Sequence, residues 1–238
     1  MIQFEKRAQP SQFWTFATPF LAVFLTMIVG GIMFAALGSD PFEAIRVIFW
    51  DPLFSEQFAA YSRPQLLVKA GPLILIAISL SLGFKAGIWN IGAEGQYIIG
   101  AICGAGMGLA FYPSESFIIF PLMILAGALG GWAWAMIPAI LRTTLGTNEI
   151  LVSLLLVYVA EAILASAATG WLRNPDGQGF PGSRNLARHP GTDNPELFDG
   201  TGIHLGVIAA LVAVIAAYVL FQKHLLGYQI KLAGQAPR

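Results

Sequence analysis

Few side chains in this sequence have the type and spacing to do chemistry, and most of them fall in one stretch. Residues 84–96 read Phe-Lys-Ala-Gly-Ile-Trp-Asn-Ile-Gly-Ala-Glu-Gly-Gln, placing three glycines and the amide, carboxylate and amide of Asn90, Glu94 and Gln96 between two long apolar runs. A polar, glycine-broken segment beside hydrocarbon is costly unless protein buries it or it lines a water-filled path. Glu161 is the second candidate, a carboxylate in the middle of an apolar run. Such a group faces the bundle interior, a partner or water, so it is either a pathway residue or a protonated, hydrogen-bonded structural one. Glu94 has a milder explanation as well. With Asn90 as N-cap it falls in the first turn of a helix, where the dipole stabilises a negative charge by about 0.3–1 kcal/mol.

No residues suggest an enzyme. There is no Gly-rich loop ending in Lys-Ser or Lys-Thr to cradle a phosphate, and His189, His204 and His224 lack the spacing that gathers a metal. Ser79 and Ser81 lie in an apolar run without a nearby His and read as helix–helix hydrogen bonders rather than nucleophiles. Cys103 is the single cysteine, which excludes an intrachain disulfide and a cysteine-based metal site. No catalytic residue, metal or cofactor is expected.

The elements that must hold the polar stretch are membrane helices. Of 238 residues, 56% are hydrophobic and 11% charged, against about 25% charged in an average soluble domain. The formal net charge is zero, leaving no basic footprint for nucleic acid and no lysine-rich run for anionic lipid. A span needs about 20 mostly apolar residues, and six runs qualify or nearly do: roughly 16–37, 66–84, 95–112, 117–141, 150–172 and 203–221. The expected fold is all-α, a polytopic transmembrane helical bundle, with residues 1–238 forming one domain. Lys6 and Arg7 precede the first run like a signal peptide, but the charge-free span 8–39 far exceeds a signal core of about 7–15 residues and reads as a retained anchor. With a cytoplasmic N-terminus, Lys6, Arg7, Lys85, Arg142, Lys223, Lys231 and Arg238 share one side and Arg46, Arg63, Arg173, Arg184 and Arg188 the other. That modest bias follows the positive-inside rule.

Between the runs, residues 39–63 mix apolar and charged side chains as a short interfacial helix would. Residues 173–201, with Asn174-Pro175-Asp176-Gly177 and Pro181-Gly182, read as turns that either dock a partner or are simply solvated. Gly100, Gly104 and Gly108 recur at steps of four, as do Gly127 and Gly131, so each set gives its helix a flat face for close packing. Pro138 is expected to kink or fray the fourth run. Asn148-Glu149 is placed to start the fifth. Residues 223–238 leave the membrane as a short, partly amphipathic tail.

Three of these stretches, in this order, resemble the permease subunits of ATP-binding-cassette importers of the branched-chain amino acid, ribose and nucleoside class, with the nucleoside branch most similar. They are 84–96 with its Gly-x-x-Asn-Ile-Gly-Ala-Glu-Gly-Gln core, 147–158 with Thr-Asn-Glu-Ile-Leu-Val-Ser and Leu-Leu-Leu-Val-Tyr, and 227–234 with Gly-Tyr-Gln-Ile-Lys-Leu-Ala-Gly. The resemblance implies a bacterial inner-membrane importer of nucleosides or related small polar solutes that has no ATPase of its own. Such a permease pairs with a second permease, sits on cytoplasmic ATPase subunits and receives solute from an extracytoplasmic binding protein. It also implies that Gly227, Tyr228, Lys231 and Gly234 lie at or beside a coupling helix that contacts the ATPase. Members continue through further spans after this element, so the chain is expected to be a C-terminally truncated permease. Within this class, Trp89, Asn90, Glu94 and Gln96, with Glu161, are expected to border the solute path, since stacking and amide contacts suit a nucleobase or sugar. A tight structural turn is the plainer reading of the same set. Simple sugars and branched-chain amino acids remain alternative solutes. A glycine-broken helix and an intramembrane carboxylate would also suit an ion-coupled secondary transporter, and a non-transporting membrane scaffold is the alternative of another class.

Overall fold

The computed structural model describes residues 11–236; Lys6, Arg7 and Arg238, named in the charge pattern, lie outside the described residues. Packing groups the chain into two compact units, Met1–Leu66 and Leu67–Arg238.

The first unit contains α1 (Gln12–Ala36), α2 (Pro41–Ile45), a single π turn (Arg46–Trp50), α3 (Asp51–Phe54) and the beginning of α4 (Ala59–Lys85). The hydroxyls of Thr15, Thr18 and Thr26 each donate to the carbonyl four residues back, so α1 presents little unpaired polarity. Asp40 caps α2, its Oδ1 accepting from Phe42 N at 2.8 Å and Glu43 N at 3.4 Å, with Pro41 in the first turn. The helix expected within 39–63 is therefore present as a broken series. It is tied by Arg46 Nε to Asp51 Oδ1 at 3.2 Å and by Arg63 Nε to the Leu53 carbonyl at 2.6 Å.

α4 starts at Ala59, well before the expected start near 66, because its first turns carry Arg63 and Pro64 and hold no apolar run to mark them. In the second unit follow α5 (Ala93–Ala110), α6 (Ile119–Leu145), α7 (Glu149–Thr169), α8 (Leu205–Lys223) and α9 (Leu225–Gln235). Residues 170–204 form turns, one 3-10 turn at Leu186–Arg188 and an isolated antiparallel bridge between Glu196 and His204, with no spanning helix, as expected.

Among the described residues, five helices are long and apolar enough to cross a membrane: α1, α4, α6, α7 and α8. The third of the six expected runs falls just outside this set. It folds as α5, but Glu94 and Gln96 in its first turn and its many glycines leave it too polar to qualify. Packing explains the tolerance, for α5 lies against both α6 and α7 along its length. Its apolar contribution to the interior centres on Ile102, which clusters with Ala167 and Leu172.

The glycine faces set the α5–α6 distance. A Cβ on Gly100 would stand 2.9 Å from the Gly127 carbonyl oxygen, one on Gly127 3.1 Å from the Gly100 oxygen, one on Gly104 3.0 Å from the Met123 oxygen, and one on Gly131 3.1 Å from the Gln96 oxygen. Real Cβ atoms rarely come so near, so backbone meets backbone along this seam. Gly108 instead faces the Met123 side chain, whose Sδ would be 2.8 Å from an added Cβ.

Three local expectations need correction. α6 does not fray at Pro138 but runs on to Leu145, where Gly146 at φ 65° ends it in the left-handed conformation open to glycine. Ser79 and Ser81 do not bond between helices; their hydroxyls donate to Leu75 and Ile78 carbonyls of their own helix. Asn90 is not the N-cap of α5. That position is Gly92, and the Asn90 Oδ1 accepts from Gly92 N at 2.8 Å, closing an Asx turn two residues earlier. Glu94 does lie in the first turn, as expected.

Candidate functional site

The polar stretch sits at the end of the second unit where α4 stops, α5 and α7 begin and α9 packs. Asn148 caps α7, its Oδ1 accepting from Ile150 N at 3.0 Å and Leu151 N at 3.4 Å. Glu149, the first residue of α7, forms an ion pair with Arg142 across the Gly146 turn, pinning the end of α6 to the start of α7. Ser153, one turn further on, accepts from Ile91 N at 3.2 Å, and a Cβ on Gly92 would lie 2.6 Å from the Ser153 carbonyl oxygen. The 86–92 turn is thus seated directly on α7. α9 closes the same end: a Cβ on Gly234 would run into the Lys85 carbonyl, and one on Gly227 into that of Leu220. Lys231 Nζ donates to the Phe221 carbonyl at 3.2 Å, and Lys85 Nζ stands 4.8 Å from the centre of the Phe221 ring.

α5, α6 and α7 pack closely, whereas α4 and α8 stand off from them, touching each other where Gly71 meets Gly206. The space left is a chain of three cavities. The largest, about 850 Å³, reaches from Leu186, Asn194 and Leu205 to Gln96. The middle one, about 510 Å³, lies between Ser79 and Gly83 of α4 and Gln96, Tyr97 and Trp132 of the α5–α6 pair. The third, about 260 Å³, is bounded by Trp89, Asn90, Gln96, Ser153 and the Arg142–Glu149 pair. Tyr97, Gly127 and Ala128 line both larger cavities, Asn90 lines the middle and third, and Gln96 lines all three.

Of the residues picked out by sequence, the structure brings Trp89, Asn90 and Gln96 to this groove. Trp89 is half exposed at its rim, with its ring 4.9 Å from that of Phe84. Asn90 Nδ2 donates to Gln96 Oε1 at 3.3 Å. Glu94 is exposed and lines none of the three cavities. Glu161 is likewise exposed, at the flank of the buried stripe Ser153, Val157, Ala160 and Ala167 of α7, and lines none of them. Gly227, Tyr228, Lys231 and Gly234 are all on α9, Gly227 buried and Tyr228 exposed. Sequence reading missed Ser153, the Arg142–Glu149 pair and Asn194. Ser153 stood inside a recognised motif without a partner to suggest its role. Asn194 lies in the turn-rich segment, where no periodicity points to it, yet its Oδ1 is buried without a hydrogen bond beside the largest cavity.

At the opposite end a polar cavity of about 440 Å³ is lined by Tyr112, Glu115, Asp176, Arg184 and His189. Arg184 pairs with Asp176 at 2.9 Å and stacks over the Tyr112 ring at 4.5 Å, and Tyr112 packs edge-on to His189.

Residues 63–238 match the family described as branched-chain amino acid transport system / permease component. A glucose ABC transporter permease protein of Haloferax volcanii is 34% identical, the alignment covering 98% of this chain and 62% of the relative. A nucleoside ABC transporter permease protein of Lactococcus lactis is 28% identical over 92% of this chain and 60% of its own length. A guanosine ABC transporter permease protein of Bacillus subtilis is 25% identical over 91% and 60%. The chain thus spans about three fifths of the length of these curated relatives. No solved structure matches.

Proposed function

The chain belongs to the branched-chain amino acid transport system permease family, and we propose that residues 1–238 form one piece of a membrane permease domain that moves a neutral sugar or nucleoside inward. The ATP-binding-cassette importer it would serve has its hydrolysis on a separate ATPase subunit. The match over residues 63–238 carries this reading. Its partners would be that ATPase, a second permease subunit and an extracytoplasmic solute-binding protein, in a bacterial inner membrane.

Two features support the details. Lys85, Arg142, Lys223 and Lys231 gather at the α9 end of the second unit, which favours that end as cytoplasmic. α9 would then face the ATPase, and the polar cavity around Arg184 and Glu115 the binding protein. The two larger cavities of the groove are lined by no charged side chain, and in the third Arg142 and Glu149 are paired to each other. A zwitterionic amino acid would shed water there without a counter-charge, whereas hydroxyls and nucleobase amides need only neutral partners such as Gln96, Asn90 and Ser79.

Vesicles carrying the full-length permease with its partner subunits test the reading. Uptake of glucose or guanosine is expected to need hydrolysable ATP, to survive collapse of the proton gradient and to exceed uptake of leucine. Uptake driven by the proton gradient without ATP, or a preference for leucine, would overturn it.

A further inference from the structure

We propose that Gln96 is the solute-contacting hydrogen-bond donor of the groove and that Asn90 is the residue that positions it; the inference rests on the transport reading above. A chain of three hydrogen-bonding groups fixes the geometry. The Gly92 N–H donates to Asn90 Oδ1 at 2.8 Å, which settles the orientation of the Asn90 amide. Its remaining donor, Nδ2, reaches Gln96 Oε1 at 3.3 Å, which settles the orientation of Gln96 in turn. The Gln96 Nε2 hydrogens are then left with no protein acceptor among the described residues, on a side chain that lines all three cavities.

A half-buried amide whose acceptor side is satisfied and whose donor side is open offers two N–H groups to an acceptor oxygen. Sugar hydroxyls and nucleobase carbonyls share that chemistry. The backbone supporting the chain is itself held, because the Ser153 oxygen accepts from Ile91 N and α7 packs on Gly92. Glu94 and Trp89 do not compete for the role: Glu94 lines none of the cavities, and Trp89 lines only the third.

The test uses the full-length permease with its ATPase in vesicles and reads KM and the maximal rate for glucose and for guanosine. Gln96→Glu keeps the side-chain length and the acceptor for Asn90 but removes the donor, and sits at a helix start that tolerates an acidic group. Asn90→Asp keeps the bond from Gly92 N but cannot donate to Gln96. Each is expected to raise KM about threefold to tenfold, the range set by one net hydrogen bond, with the amount of protein in the membrane unchanged. Gln96→Ala combined with Asn90→Asp is expected to be no worse than Gln96→Ala alone, since the second residue acts through the first. A lower maximal rate at unchanged KM, or additive effects of the two sites, overturns the proposal while leaving the transport reading standing. No ATP-driven uptake of either solute by the unaltered protein overturns both. Independently of transport turnover, a cysteine introduced by Gln96→Cys, with Cys103→Ala, is expected to react with a soluble thiol reagent more slowly when glucose or guanosine, whichever is transported, is present. A rate that solute does not change overturns the assignment even where the other variants fail to insert.

Discussion

The Ser153 side-chain oxygen accepts the Ile91 N–H at 3.2 Å, joining the first turns of α7 to the turn that precedes α5, 62 positions earlier in the chain. The same hydroxyl donates to Ile150 O at 3.1 Å, so it bridges its own helix and the polar stretch. Ser153→Ala leaves the Ile91 N–H, which lies in a partly buried setting, without its acceptor, a loss of about 1–3 kcal/mol. The full-length protein in detergent should then melt at a lower temperature, by a few degrees. Ser79→Ala, which removes only a hydroxyl bonded within α4, should leave the melting temperature almost where it was. Equal effects of the two would mean that the bridge carries no stability.

Gly92 makes a sharper steric claim. Ser153 contributes its carbonyl oxygen at 2.6 Å, its Cβ at 2.8 Å and its carbonyl carbon at 3.0 Å around the place a Cβ would occupy. Two of these are backbone atoms that cannot rotate away. Gly92→Ala should therefore cost about 1–3 kcal/mol through overpacking. Gly30→Ala in α1, with nothing within 4 Å, should be neutral or slightly stabilising, because alanine restricts the unfolded chain and suits a helix. Thermal unfolding of the two variants side by side decides it; a Gly92→Ala protein as stable as Gly30→Ala contradicts the packing.

The Arg142–Glu149 pair is neither fully exposed nor fully enclosed, its side chains being 27% and 15% exposed. Its worth falls between the limits for surface and buried pairs, about 1–3 kcal/mol for removal of one partner. Glu149→Gln should loosen the α6–α7 turn by that amount, and the charge exchange Arg142→Glu with Glu149→Arg should restore part of it. Protease sensitivity of the 143–149 connection in vesicles reports the loosening. If the exchange is no better than either single change, the pair is not what holds the turn.

What the sequence made legible follows from which forces act locally. Apolar runs located most helices, because a spanning helix must be apolar along its whole length. The third run locates α5 too, but its shielding by α6 and α7, which lets a helix start with Glu94 and Gln96, is a tertiary property that no window of residues contains. Asn148 was readable as a cap because capping depends on neighbours two and three positions away. Asn90 looked identical in kind, yet its bond falls to Gly92 N outside the helix and to Gln96, a choice made by the seat that Ser153 provides. The groove could not be foreseen at all, because it is the gap left where α4 and α8 stand off from three packed helices. Glu161 stood out in the sequence for its cost in hydrocarbon, but only the fold shows that it lies beside the buried stripe of α7 and away from the cavities.

α9 separates two roles that the motif Gly-Tyr-Gln-Ile-Lys-Leu-Ala-Gly had merged. Gly227 and Gly234 press against the backbone of Leu220 and Lys85, so side chains there would displace the helix from its own bundle. Tyr228 faces outward with 62% of its surface exposed. If α9 is where the ATPase bears, Tyr228 is the contact and the glycines set its position. Tyr228→Ala in the full-length permease should reduce solute-stimulated ATP hydrolysis severalfold while leaving membrane insertion and melting temperature unchanged. Gly234→Ala should lower both, since the Lys85 carbonyl must yield and the strain passes along the 86–92 turn to Asn90. Paired measurements of stimulated ATP hydrolysis and thermal stability separate the cases. Stimulation that survives Tyr228→Ala would remove this tyrosine from the contact, and a Gly234→Ala protein with normal stability would show that α9 is not seated on the end of α4.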